Sequence, residues 1–102
     1  MLTYKDDDIW LTAIVSVGED STSIYFPDIG ITVHGDSFLS ARIKAEVFIK
    51  VILADYVRRG VPLQSIISVE DAQLQCTRQG MFVDHMKFNL TGGVRKRDEA
   101  LN

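Results

Sequence analysis

His34, His85, Cys76 and Asp84 are the residues whose types could ligate a metal or attack a substrate, and Asp28 and Asp36 are the carboxylates a nuclease could use. A metal centre draws its ligands from short, repeated Cys and His intervals, and the lone cysteine and two histidines keep no such interval. His34 adjoins a turn signal and His85 falls inside a strand-like run, where ordinary surface and core histidines also occur. A nuclease needs carboxylates that converge on Mg²⁺, and Asp28 and Asp36 are the candidates. Their neighbours give each a simpler task. Asp28 follows Pro27 in a corner, and Asp36 stands between Gly35 and Ser37 where a helix begins. No Gly-rich phosphate loop, nucleophile elbow or paired-cysteine motif is present. This inventory predicts no catalytic residue, no metal and no cofactor.

The elements that must hold these residues are clearest between Ser23 and Tyr56. Ile24 and Phe26 alternate with Ser23 and Tyr25, the period of a strand with one buried face. Pro27-Asp28 ends that strand, Ile31 to Val33 reads as another, and Gly35 permits the turn into a helix capped by Asp36 or Ser37. Upstream, Ile9 to Val17 alternates Leu11, Ala13, Val15 and Val17 with Trp10, Thr12, Ile14 and Ser16. Gly18 to Ser21 then turns it into a hairpin with Thr22–Phe26. Downstream, Ser68-Val69-Glu70-Asp71 opens a short helical turn with Asp71 as a weak capping box, and Met81 to Leu90 is the last strand. In that strand Phe82, Met86, Phe88 and Leu90 share a face that Asp84 interrupts.

The helix from Phe38 to about Arg59 ends as helices do, with Arg58-Arg59 in the last turn, Gly60 at the cap and Pro62 beyond. Phe38, Ala41, Ala45, Phe48, Ile49, Ile52, Leu53 and Tyr56 fall in one arc, the side expected on the sheet. Ile43, Val47 and Val51 make a second apolar stripe roughly opposite, where a helix on a small sheet should be polar. That stripe predicts self-association or a partner, with cover by the C-terminal segment as the alternative. The reading is an α+β fold: a small antiparallel sheet, ordered strand-strand-strand-helix-strand, with one long helix packed on it. Residues 1–90 form the domain and 91–102 a charged, flexible C-terminal tail.

Composition limits what such a domain does. With 102 residues and 46% hydrophobic content the chain builds one core, and no run of apolar residues is long enough for a membrane span. Its polar, acidic start is unlike a signal peptide, and one cysteine forms no internal disulfide, so a cytoplasmic protein is expected. The net charge of −3 is uneven: Lys5 stands against seven acids in residues 1–36, a net of −6. Residues 37–102 carry ten basic and seven acidic side chains, a net of +3. The acidic strand half should attract a basic partner and repel nucleic acid.

The run Tyr25-Phe26-Pro27-Asp28-Ile29, then Thr32, Gly35-Asp36-Ser37, and Ala41 and Ala45 on a helix resembles the HicB antitoxin family. That family's signature is an aromatic-Pro-Asp corner, Gly-Asp-Thr and an Ala-spaced helix. Here Ser37 replaces the threonine, and the link from the corner to Gly35 is shorter. The resemblance implies a degenerate ribonuclease H-like sheet and, as partner, a small basic HicA-like toxin that cleaves mRNA and is inhibited by occlusion. Glu19, Asp20 and Asp28 are the expected partner-binding residues, and Ile43, Val47 and Val51 the expected self-association residues of a homodimer that uses the stripe, a sheet edge, or both. Such antitoxins usually append a DNA-binding module. Twelve residues follow Leu90, too few for one, and Arg95-Lys96-Arg97 is met at once by Asp98 and Glu99, so no direct DNA binding is expected. Two other readings are a free-standing, phage-borne inhibitor or adaptor with the same fold, and a small metal-dependent nuclease with a ribonuclease H-like site.

Overall fold

A computed structural model describes residues 8–61 and 67–90 of the chain. Its elements in order are β1 (Asp8–Val17), β2 (Thr22–Phe26), β3 (Ile31–Gly35), α1 (Phe38–Arg59), α2 (Val69–Leu74) and β4 (Met81–Asn89). The expected α+β architecture is what forms: a four-stranded antiparallel sheet in the order β3-β2-β1-β4 with α1 packed on it. The tail from residue 91 and the N-terminal run before Asp8 lie outside the described residues.

Register follows from which face must be buried, since a one-residue slip would turn every apolar side chain outward. Val15 pairs with Ile24, and Ile24 with Val33, so β1, β2 and β3 present one apolar row to α1. Leu11, Val15, Ile24, Phe26, Met86 and Phe88 are buried there with Ala41, Ala45, Ile49 and Leu53 of the helix. Phe26 meets Phe88 edge to face, with ring centroids 5.9 Å apart, an arrangement that the ring quadrupoles favour.

Both ends of α1 are fixed by residues legible in the sequence. The Ser37 hydroxyl accepts from Ser40 N–H at 3.1 Å, which makes Ser37 the N-cap rather than Asp36. At the other end Gly60 adopts a left-handed φ of 70°, and the N–H groups of Gly60 and Val61 close on Val57 O and Tyr56 O. Asp55 accepts from both Arg58 and Arg59 in that last turn.

Two expectations need correcting. Gly35 serves close approach, not a turn. A Cβ there would lie 2.4 Å from the Ala41 nitrogen and 2.7 Å from its Cα, because the helix backbone crosses directly over the end of β3. The second is Phe48, placed by its helical angle on the sheet side but 59% exposed. The sheet ends at β3, so among the described residues no strand lies beneath that flank of the helix.

The opposite face of the sheet is covered in part. Ser68 caps α2 by accepting from Asp71 N–H at 3.0 Å, as the Ser-Val-Glu-Asp pattern predicts. α2 lies against β1 and β4 with Ala72 buried. Thr12 and Ile14, on the side of β1 away from α1, are buried as well. Alternation alone leaves them exposed.

Candidate functional site

Asp28 is spent on structure. Its Oδ1 accepts from the backbone N–H of Ile67 at 2.7 Å, tying the corner after β2 to the segment that leads into α2. The same residue's carbonyl accepts from the Thr12 hydroxyl at 3.3 Å. Thr12 Oγ1 also lies 3.1 Å from His85 Nε2. A hydroxyl has one proton, so with that proton on Ile67 O the contact requires the imidazole Nε2–H to donate. A polar chain thus runs Asp28, Ile67, Thr12, His85, from the aromatic-Pro-Asp corner across the covered face of the sheet. Asp28→Ala should cost about 1.5–3 kcal/mol, the usual worth of a hydrogen bond to a charged group. Urea unfolding would measure the loss, and Asp28→Asn, which keeps an acceptor, should cost less.

The other carboxylates separate into two places. Glu19 and Asp20 are exposed on the β1–β2 turn, closed by Gly18 N–H on Ser21 O at 2.8 Å. Asp28 lies at the far end of β2, so these three do not form one patch. Register instead sets Asp36 beside the turn, because Thr22 pairs with Gly35. Glu19, Asp20 and Asp36 therefore share the end of the molecule where α1 begins, a grouping that needs the β2–β3 register to be seen. Asp84 points to the α1 side of β4, and its Oδ2 is buried without a hydrogen-bond partner among the described residues.

His34 is exposed on the edge strand and His85 is exposed beside Trp10, their ring centroids 6.1 Å apart. Lys87 Nζ sits over the Trp10 ring at 5.8 Å. Cys76 is half-buried just after α2, its thiol on Ala72 O. Among the described residues no three His, Cys, Asp or Glu side chains gather where they could hold a metal ion. No helix among them is long and apolar enough to cross a membrane.

Among the described residues an apolar surface on α1 is left unexplained. Ile43, Val47 and Val51 are 58%, 61% and 64% exposed, and Leu39 at 68% extends the stripe by one turn toward the acidic end. At i, i+4 spacing these side chains form one ridge along the outer face of α1. The structure brings together all three residues picked from the sequence as an association surface and adds Leu39. Phe48 flanks the ridge on the β3 side. The basic cluster Arg95-Lys96-Arg97 lies outside the described residues. No known protein family, curated protein or solved structure matches the chain.

Proposed function

We propose that the chain is a HicB-like antitoxin, a cytoplasmic, non-catalytic domain that docks on a small basic HicA-type toxin and shields the face that would cleave mRNA. The observation that carries this reading is the exposed ridge of Leu39, Ile43, Val47 and Val51. A lone soluble domain rarely keeps so continuous an apolar surface bare. Each of these side chains contributes about 1.5–3 kcal/mol when a partner buries it fully. Glu19, Asp20 and Asp36 at the same end of α1 supply the charge that would steer a basic partner, acting on encounter rate and selectivity more than on affinity. The residues that carry the resemblance have structural tasks: Asp28 clamps Ile67, and Ser37 caps α1.

Mixing the purified chain with a HicA-type toxin and a labelled mRNA tests the proposal. The chain should abolish cleavage at stoichiometric ratio. Val47→Glu should weaken inhibition roughly 100-fold or more, since several kcal/mol of burial become a buried charge. The chain alone, with Mg²⁺ or Mn²⁺, should leave RNA intact. Cleavage by the chain alone that a chelator stops would replace this reading with the nuclease. Tight binding to an unrelated target, with no effect on the toxin, would replace it with the free-standing inhibitor.

A further inference from the structure

We propose that β3 and the Phe48 flank of α1 form the interface of a homodimer, in which two copies join β3 to β3 around a two-fold axis and merge two four-stranded sheets into one. The first observation is the contrast between the two edges. β4 carries devices that discourage strand pairing: Asp84 turned inward with a buried, unpartnered oxygen, and Lys87 on the other face. β3 has none of these. Ile31-Thr32-Val33-His34-Gly35 contains no lysine, proline or carboxylate, and its pairing with β2 runs without a bulge. Among the described residues no strand pairs with its outer side.

The second observation is a groove of about 370 Å³ between this edge and the helix, lined by Ile31, Val33, Lys44, Phe48 and Ile52. It makes the edge strand and the misfit Phe48 parts of one surface. A second copy fits that surface by its own geometry. Antiparallel pairing centred on Val33 sets Val33 against itself, Ile31 against Gly35, and the Thr32 hydroxyl against the His34 ring, with no like charges opposed. Strands pair at about 4.8 Å, so a helix seated between β3 and β2 would lie about 10 Å from its symmetry mate. That is the ordinary distance between packed helices, roughly 8–10 Å, and α1 does pack chiefly over β3 and β2. A foreign strand would have to supply this register; the chain already contains it. The ridge of Val47 stays outside the interface, so the dimer stands independently of the toxin reading.

Sedimentation velocity on the full chain, with hydrogen exchange of the β3 amides, provides the test. The parent should be a dimer at micromolar concentration with protected Thr32 to His34 amides. Phe48→Glu sets two carboxylates across the axis, and like charges so placed cost enough to weaken the dimer roughly 100-fold or more. It should give a monomer with unchanged circular dichroism and rapidly exchanging β3 amides, while Val47→Glu remains dimeric. A monomeric parent overturns the proposal, showing the edge bare or covered by the chain itself. So does a dimer that Val47→Glu breaks and Phe48→Glu leaves intact, or one with unprotected β3 amides.

Discussion

Gly35→Ala should lower the unfolding free energy by about 3 kcal/mol, the upper end of what overpacking usually costs. The added methyl meets backbone, not a side chain that can swing away: the Ala41 nitrogen at 2.4 Å, its Cα at 2.7 Å and the Ser40 carbonyl carbon at 2.9 Å. Relief requires α1 to rise from the end of β3, and Ala41 and Ala45 are buried because the helix sits so low. Small domains hold about 5–15 kcal/mol in total, so the change should be plain in the urea midpoint with little change in slope. Gly30→Ala is the matched control. Gly30 has a left-handed φ of 66° but open space where the Cβ would go. Its cost is conformational alone, about 1–2 kcal/mol.

Phe26→Ala should cost about 3–5 kcal/mol, the range for truncating a buried aromatic. Phe26 is fully buried and among the largest such side chains, set edge-on to Phe88. Tyr25→Ala, one residue earlier and on the other face, removes a ring that is 36% exposed and should cost far less. A double-mutant cycle with Phe88→Ala should show a coupling of about 0.5–1.5 kcal/mol from the ring pair. Thermal or urea unfolding monitored by circular dichroism measures all four variants. Equal losses for Phe26→Ala and Tyr25→Ala would mean that the assigned faces of β2 are wrong.

Much of this was legible because it is local. Ser37, Arg58, Arg59 and Gly60 mark the ends of α1 through hydrogen bonds that reach three or four residues, and the alternation around Ile24 and Phe26 marks the buried face of β2. The failures are matters of distance. Asp28 sits in the turn that the Pro-Asp corner predicts, but its bond to Ile67, 39 residues away, leaves no local sign. Thr12 and Ile14 lie on the face of β1 away from α1, and the group that Thr12 meets, Ile67 O, comes 55 residues later. A helical angle showed that Phe48 leans toward the sheet, but not that the sheet stops at β3. The stripe of Ile43, Val47 and Val51 was visible for the opposite reason: it breaks the local pattern, and none of the described residues buries it.

The clamp on Ile67 has a consequence for the small helix that follows it. α2 has six residues, too few to hold a helix in water, and buries only Ala72 among them. The polar chain from Asp28 through Ile67 to Thr12 ties the residues before it to the sheet, and Ala72 packs it on β1 and β4. The sheet and α1 share a large apolar core that does not include α2. Were the Asp28 bond to let go, the 67–74 segment would be expected to open before the rest of the domain. In that open state Thr12, Ile14 and the Trp10–His85 surface would join into one broad face of the sheet. The chain would then have a second, transient surface on the side away from the ridge, available for as long as the corner carboxylate lets go.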